Sequence, residues 1–511
     1  MSDQPTDPSA ANVESSSNNL RARRVALDTH DQVVAITHRD CPVCRSEGFS
    51  AHARVRLQAG NRRVIATLYQ IDSDLLADDE IALSESAWQR LQIAEGDSVH
   101  IAHPQPLDSL GLVRGRIYGN RLGRGEMHQI IADISAGRYA DIHLAMFITA
   151  MGAIPPNDEE LVHLTEAMVN AGDRLEWGRD IIADKHCVGG LPGNRTTPLV
   201  VAIAAACGLW MPKTSSRAIT SPAGTADTME TLAPVDLDLD QMRRVIEAQG
   251  GCVAWGGAVR LSPVDDMLIR VARLMDIDAE GQMVASVLSK KVAAGATHLV
   301  IDIPVGPTAK VRSQSEAEQL SARMKSVADA FGLKLSVLLT DGSEPIGRGI
   351  GPALEAFDVL SVLHNEADQP MDLRRRAVHL AGALLELTGV AETGAGEALA
   401  ESVLADGRAA ERFAAICDAQ GGHRTPPRAA RTLDIQTESD GEVVSIDNRR
   451  LARVAKLAGA PGAPAAGLVL HVKLGQHVEP GMPLYTIHAE TLGELNYAHE
   501  YAQTNGIIRI A

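Results

Sequence analysis

The strongest constraint on the fold is an alternation of strand, loop and helix patterns that begins at Asp180. Short apolar runs at 180–186, 209–216, 298–305 and 333–341 read as strands, and each is followed by a loop and a helical pattern. Such alternation is typical of a mostly parallel sheet covered by helices. We therefore expect a large α/β domain that binds its ligand at the carboxyl ends of the strands.

Flanking segments have other patterns. With 511 residues, the chain is too long for a single hydrophobic core. Residues 21–103 alternate apolar and polar positions, as β-strands do, whereas 110–173 has helical spacing. Asn157 and Asp158 offer a cap for the last helix of the second segment. Residues 435–511 return to β character, and GQHVEPGMPLYTI within them looks like a biotinyl/lipoyl-type hammerhead hairpin. Lys473 near this hairpin is expected to be an exposed strand lysine rather than a cofactor attachment site.

The charge and the cysteines limit the function classes. Lys and Arg number 48 against 65 Asp and Glu, a net charge of −17, which disfavours binding to a nucleic-acid polymer or an anionic membrane. The start of the chain lacks the pattern of a secretory signal, and scattered cysteines suit a reducing, cytoplasmic location. Cys41 and Cys44 form a CxxC between His38 and His52, but a second CxxC is missing. Zinc and a turn with two reduced thiols both stay open, and no metal site is predicted.

The first group of candidate site residues follows the first strand. Lys185 and His186 precede a glycine-rich loop that contains Gly190, and a helical pattern follows from Thr197 and Pro198. Free backbone amides, a helix N-terminus and a lysine together make a phosphate cradle. The alternative is a tight turn in which Thr197 caps an ordinary helix.

The second group follows the next strand. In the segment 213–230, five Ser and Thr side chains lie within four residues of Arg217, on either side of it. Two hydroxyl-rich loops at one sheet edge could hold an oxyanion between them. The alternative is a polar loop that caps the next helix through Thr225.

The third group has helical spacing. Asp278, Gln282, Ser286 and Lys290 recur every four residues, so on a helix they share one face. A helix N-cap is the alternative for Asp278, and half of an exposed lysine pair is the alternative for Lys290.

The stretches KHCVGGLPGNRTTP and SSRAITSPAGTADTME resemble the two signature loops of the thymidine phosphorylase family. The resemblance runs from about residue 110 to 505, and the extra N-terminus is similar to that of the long branch, which includes archaeal AMP phosphorylases. It implies a helical domain and an α/β domain on two sides of a cleft, and a homodimer. The expected parts are a disordered tail (1–20), an N-terminal β-rich domain (21–105), a small helical domain (106–175 with 264–295), a large α/β phosphate-binding domain (176–263 with 296–432) and a C-terminal β-rich, hammerhead-like domain (433–511).

The resemblance also implies site residues, position by position. The catalytic residues are Asp278, His186 and Lys290. The phosphate ligands are Lys185, Gly190, Thr197, Ser215 and Thr225. The nucleoside or nucleotide ligands are Gly190, Ser216, Arg217, Ala218, Ile219, Thr220, Ser221, Thr225, Arg270, Ser286, Lys290 and Lys310. Arg273 could replace Arg270, Cys187 stands where serine is common, and Pro222 stands where short bacterial members have a small or hydroxyl residue.

The implied reaction is phosphorolysis of a pyrimidine nucleoside such as thymidine, without a metal or organic cofactor. The alternative substrate is AMP or another nucleoside 5′-monophosphate, which the long N-terminus, the SSRAITS loop and Lys310 favour. A silent nucleotide-binding regulator should have lost Lys185, Arg217 or Lys290, all of which are present. Phosphoribosyl transfer normally needs acidic motifs for magnesium and pyrophosphate, which the sequence lacks.

Overall fold

The computed structural model describes residues 18–29, 32–218, 221–259, 261–275, 277 and 279–511. These residues form two compact units. One unit comprises the described chain up to Val113 together with Asp133–Leu144, and the other comprises Arg114–Ala132 and Ala145–Ala511. The first strand begins at Asn19, inside the predicted tail, and residues 1–17 of that tail lie outside the described residues. The five-part domain division stays a prediction.

The first unit contains a closed six-stranded barrel of order β1-β5-β2-β4-β3-β6. Its strands are β1 (Asn19–Leu27), β2 (Val34–His38), β3 (Arg54–Ala59), β4 (Arg62–Ile71), β5 (Glu80–Ser84) and β6 (Ser98–Ala102), with short helices α1 (Pro42–Ser46) and α2 (Glu85–Leu91). Alternate residues of β3, Val55 and Leu57, are buried in the barrel core. Closure leaves the barrel without an exposed edge strand. The expected N-terminal β structure is thereby confirmed.

Four helices follow the barrel, as the helical spacing predicts. They are α3 (Ser109–Ile117), α4 (Arg124–Ser135), α5 (Asp141–Ala153) and α6 (Asp158–Asn170). Asn157 caps α6 by accepting a hydrogen bond from the Glu160 amide at 2.8 Å, and Glu160 accepts one from the Asn157 amide at 3.1 Å. This capping box confirms the predicted start of α6.

In the α/β part of the second unit, the strands named below pair in parallel, which confirms the predicted mostly parallel sheet. Strands β7 (Ala183–Cys187), β10 (His298–Val305) and β11 (Lys334–Asp341) form a parallel sheet of order β11-β10-β7, and β8 (Met211–Ser215) pairs in parallel with β9 (Gly251–Trp255). The other elements are α7 (Thr196–Ala206), α8 (Thr225–Glu230), α9 (Leu239–Gln249), α10 (Pro263–Met275), α11 (Glu280–Ala293), α12 (Gln314–Ala330), β12 (Gly349–Ile350), α13 (Pro352–Leu363), α14 (Met371–Leu387), α15 (Gly396–Ala405) and α16 (Arg408–Ala419), with a 3₁₀ turn at Gly256–Val259. Most residues of helix α7 are apolar and buried, because the helix lies inside a large core cluster.

The helix caps that the two alternative interpretations place at Thr197 and Thr225 are not formed. Helix α7 begins at Thr196, and Arg195 occupies the N-cap position without a side-chain cap. The Thr197 hydroxyl instead accepts a hydrogen bond from Lys185. Helix α8 is capped at Gly224, one residue before Thr225, and the Asp227 carboxylate accepts the Gly224 amide at 2.8 Å.

The C-terminal part contains two antiparallel sheets, β12-β15-β17-β13 and β16-β14-β18. Its elements are β13 (Arg431–Gln436), β14 (Gly441–Ile446), α17 (Asn448–Leu457), β15 (Gly467–Leu470), β16 (His477–Val478), β17 (Pro483–Ala489), α18 (Leu492–Thr504) and β18 (Ile508–Ile510). The two helices were not expected.

Lys473 differs from the sequence expectation. Its ammonium lies 2.7 Å from Asp372 and donates to the carbonyls of Pro345 and Gly347 at 2.9 and 3.2 Å. It is a half-buried contact with the α/β part, so the prediction of an exposed strand lysine is wrong.

Within the described ranges, no helix is long and apolar enough to cross a membrane.

Candidate active site

A cavity of about 260 Å³ lies between two loops and a helix of the second unit. The loops follow β7 and β8, and the helix is α11. Twelve of the predicted site residues line this cavity: His186, Gly190, Thr197, Ser215, Ser216, Arg217, Ala218, Ser221, Thr225, Ser286, Lys290 and Lys310. Asp278, Ile219 and Thr220 lie outside the described residues. Among the described lining residues, Lys185 and Arg270 do not occur, whereas Arg273 does.

The loop after β7 depends on its glycine. Gly190 has a φ of 113°, a conformation that suits glycine. A Cβ at this position would lie 3.4 Å from the Cβ of Lys310, in ordinary contact, so the backbone conformation rather than lack of space favours glycine. The next residue, Leu191, also has a positive φ of 92° and is buried in the core shared with the C-terminal sheets. The loop is therefore fixed from behind while its backbone faces the cavity.

Lys185 lies beneath this loop rather than in the cavity wall. Its fully buried ammonium donates to the hydroxyls of Thr196 at 2.7 Å and Thr197 at 3.3 Å. Burial lowers the pKa of Lys185. The lysine thus orients the start of α7, and Thr197 carries the contact to the cavity.

The loop after β8 brings several hydroxyls to the cavity. The Asp227 carboxylate accepts hydrogen bonds from the amides of Ala218 and Gly224, at 2.6 and 2.8 Å, and so closes the loop. A Cβ on Gly224 would lie 2.6 Å from the carbonyl oxygen of Ser216, which explains the glycine. Ser215, Ser216 and Ser221 consequently face the same cavity as the β7 loop.

Arg217 is already paired with protein groups. Its guanidinium makes two hydrogen bonds to Glu230 and stacks over Trp255, with 4.9 Å between the guanidinium carbon and the ring centre. These carboxylate contacts raise the pKa of Arg217, with Asp227 3.6 Å away. An anion at Arg217 would therefore compete with carboxylates for the same charge.

The opposite wall belongs to α10 and α11. The Lys290 ammonium lies 2.6 Å from Asp265 and donates to the Ser286 hydroxyl at 3.2 Å. Gln282, Ser286 and Lys290 all line the cavity, as their spacing along one helix face predicts. The alternative of an exposed lysine pair is wrong, because Lys290 is ion-paired and Lys291 is buried.

His186 is an uncharged group in the cavity wall. Burial lowers its pKa well below the usual value, and the nearby Lys291, Lys213 and Lys290 lower it further. The imidazole is therefore neutral near pH 7, and it can donate one hydrogen bond without adding positive charge.

Three cysteines complete the sequence-predicted set. The Cys187 thiol lines the cavity and donates to Asp302 at 3.3 Å, and burial raises the pKa of Cys187. Cys41 and Cys44 are buried at the start of α1, where the Cys44 thiol donates to Thr37 at 3.4 Å. Over the described ranges, no cluster of three or more His, Cys, Asp or Glu could hold a metal. The absence of a metal site stays a prediction.

Sequence patterns missed the charged residues behind the cavity. Lys213 lines the cavity from the interior of β8, and Asp184 and Lys291 lie buried beside it. The one available signal was a charged residue inside each apolar run, since lysine and aspartate are rarely buried unless paired.

Family models match three parts of the chain. They are the glycosyl transferase family helical bundle domain at 112–172, the glycosyl transferase family a/b domain at 179–410 and the pyrimidine nucleoside phosphorylase C-terminal domain at 442–509.

Full-length relatives and distant structures agree with these matches. The protein named "Putative thymidine phosphorylase" in Chelativorans sp. is 59% identical over 490 residues, or 96% of each chain. The protein of the same name in Maricaulis maris is 58% identical over 488 residues, or 95% of this chain and 94% of its own. Anthranilate phosphoribosyltransferase from Thermus thermophilus is 21% identical with a TM-score of 0.52, covering 60% of this chain and 98% of that chain, and shares the fold. On its sequence, the chain belongs to the thymidine phosphorylase family.

Proposed function

We propose that this chain is a pentosyltransferase that cleaves the N-glycosidic bond of thymidine or another pyrimidine nucleoside with inorganic phosphate. The products are the free base and the (deoxy)ribose 1-phosphate. One observation carries the proposal: two hydroxyl- and amide-rich loops face Lys290 and Ser286 across a single cavity. The names of the full-length relatives support the same reaction.

The two walls suit the two halves of the reaction. Phosphate would lie against the loop amides and the hydroxyls of Thr197, Ser215 and Thr225, close to the N-terminus of α7, where anions are stabilised. The base would lie against α11, with Arg273 as the lining arginine in place of Arg270. Phosphate would then attack C1′ from the face opposite the leaving base, through an oxocarbenium-like transition state.

The leaving base gains negative charge as the glycosidic bond breaks. The Lys290 ammonium, which is positioned by Asp265, would stabilise that charge, and neutral His186 would contribute a hydrogen bond. Asp278 would serve as a proton donor if the base were a purine.

A nucleoside 5′-monophosphate is the second candidate substrate. Its extra phosphate brings roughly two negative charges at neutral pH and needs further cations. Lys310 lines the cavity and is not among the proposed ligands of inorganic phosphate or of the base. This observation favours AMP, CMP or UMP as substrates.

A substrate panel distinguishes the two candidates. Thymidine, uridine, adenosine and the monophosphates AMP, CMP and UMP are each incubated with phosphate, and release of the free base is measured. The proposal expects the highest kcat/KM with a pyrimidine nucleoside. A much higher value with a monophosphate would favour the second candidate, and no base release with any of them would contradict phosphorolysis.

The proposal includes a homodimer in the cytoplasm. The dimer rests on the family resemblance, and the location rests on free cysteines, of which five are buried. Sedimentation of the purified chain tests the oligomeric state.

A further inference from the structure

One buried carboxylate lies where three parts of the site meet. Asp184 is 1% exposed, and its Oδ1 accepts the amide of Lys185 at 2.6 Å. The same oxygen lies 3.4 Å from the ammonium of Lys213, which belongs to β8. Its Oδ2 lies 2.8 Å from the ammonium of Lys291, which belongs to α11.

The neighbours of these contacts are site residues. Asp184 precedes Lys185 and His186 on β7, Ser215 lies two residues after Lys213 on β8, and Lys290 precedes Lys291 on α11. Lys213 also donates to the carbonyl of Lys185 at 2.7 Å, which joins β7 and β8 directly. A shift of the carboxylate would therefore move both the loops after β7 and β8 (the phosphate-side loops) and helix α11 (the base-side helix).

The charge balance is unusual for a group that only stabilises the fold. Lys185, Lys213 and Lys291 are all buried, and Asp184 is the carboxylate that Lys213 and Lys291 share. Burial lowers the pKa of Lys213 well below its usual value. Buried ion pairs are often no better for stability than apolar residues of the same volume. The cluster is costly to bury, so its position behind the cavity calls for a role in the site.

We propose that Asp184 is a positioning residue that fixes the spacing between the phosphate-side loops and the base-side helix through Lys213 and Lys291. The inference rests on the proposed function for its account of the two walls. It predicts that a change of Asp184 weakens the binding of both substrates. A change of Lys213 should weaken mainly phosphate binding, and a change of Lys291 should weaken mainly nucleoside binding.

The test compares Asp184→Asn, Lys213→Met and Lys291→Met. Phosphate affinity is measured by calorimetry with inorganic phosphate alone, and kcat and KM are measured with the best nucleoside of the panel. We expect Asp184→Asn to weaken both affinities about tenfold and to lower kcat about 10²-fold, because a small misplacement of reacting groups has an effect of that size. Lys291→Met should raise the nucleoside KM while leaving phosphate affinity within about twofold, the ordinary scatter of a distant change.

A control and a rescue separate positioning from general destabilisation. Glu160 is also a buried, ion-paired carboxylate, 3.2 Å from Arg116, and it does not line the cavity among the described residues. Glu160→Gln should lower Tm without changing the affinity for phosphate relative to the affinity for the nucleoside. Lys291→Arg, which keeps the ion pair, should recover most of the nucleoside KM that Lys291→Met loses.

Some results would overturn the inference. A folded Asp184→Asn protein whose affinities for phosphate and nucleoside are both near wild type would do so. Losses of affinity that simply parallel the decrease of Tm in every variant would also do so. If Asp184→Asn does not fold, equal nucleoside KM values for Lys291→Met and Lys291→Arg would contradict it instead. A wild-type chain that binds phosphate but cleaves no nucleoside would contradict the proposed function, while calorimetry would still test Asp184 and Lys213 on the phosphate side.

Discussion

The ammonium of Lys290 lies 2.6 Å from Oδ2 of Asp265. The carboxylate is completely buried, whereas the lysine side chain is 28% exposed and reaches the cavity. Asp265 therefore holds the lysine by a charge-assisted contact from inside the protein, and Ser286 receives a second hydrogen bond from the same ammonium.

The first prediction concerns the loss of the Asp265 carboxylate charge, which anchors Lys290. Asp265→Asn keeps the volume of the side chain but weakens the hold on Lys290. We expect kcat/KM for the nucleoside to fall about 10- to 10²-fold, since truncating a buried charge pair has effects of this order. The phosphate KM should stay near wild type. Initial-rate kinetics in both substrates measure the difference.

Asp266 offers the control for this change. It is the next residue, and burial and the charge of Asp265 raise its pKa to about 6. Over the described part of the chain, Lys290 forms its ion pair with Asp265 rather than with Asp266. Asp266→Asn should have the smaller effect, and equal losses in the two variants would contradict the anchoring role.

The second prediction concerns Lys185. Its ammonium orients Thr196 and Thr197, so its removal should disorder the start of α7 where phosphate is expected. Lys185→Ala should lose at least about 10²-fold in kcat/KM for phosphate, the size of effect seen for one preorganised contact. Thr197→Val, which removes one hydroxyl, should lose less. Near-wild-type phosphorolysis by folded Lys185→Ala would argue against a phosphate site at this loop.

The third prediction concerns the thiol that replaces the family's common serine. Cys187 donates to Asp302 at 3.3 Å, and Thr340 donates to the other oxygen of the same carboxylate at 2.5 Å. A serine hydroxyl is a stronger donor than a thiol, so it can keep this contact. Cys187→Ser should leave the phosphate KM equal or lower. A large increase in that KM would show that Cys187 serves packing instead.

Local patterns predicted what depends on local chemistry. The strands at 298–305 and 334–341, the cap at Asn157 and the shared face of Gln282, Ser286 and Lys290 all follow from spacing over a few residues. The family resemblance was needed to connect the two loops with α11 as one site.

Contacts distant in sequence could not be read in this way. Lys291 and Asp184 are far apart along the chain, and no local pattern brings them within 2.8 Å. The same limit explains the failed cap at Thr197, whose hydroxyl is taken by Lys185 from the preceding strand. Helices α17 and α18 were missed because Gly and Pro punctuation around them is typical of β-hairpins.

The fourth prediction uses pH. Glu355 is buried 3.5 Å from Arg195, and burial raises its pKa to about 7. Between the lower pKa of the unfolded state and about pH 7, the folded state therefore keeps a proton that the unfolded state has released. Stability from this group is present below the unfolded pKa and is lost as pH rises toward 7, with a slope of at most about 1.4 kcal/mol per pH unit. Glu355→Gln should flatten the decline of Tm between about pH 4.5 and pH 7. An unchanged decline would contradict the assignment.

The last prediction separates the two substrate candidates through Lys310, whose backbone packs against Gly190 at the cavity wall. If the substrate is a 5′-monophosphate, Lys310→Ala should raise its KM about 10- to 10²-fold, the effect of losing a hydrogen bond to a charged group. The KM for inorganic phosphate should stay nearly unchanged, because the proposed site for that anion is formed by the loops after β7 and β8. Arg312→Ala is the matched control, since Arg312 is an exposed cation two residues farther along. If the substrate is a free nucleoside, Lys310→Ala should behave like this control, and thymidine or uridine should outcompete AMP in mixed-substrate assays.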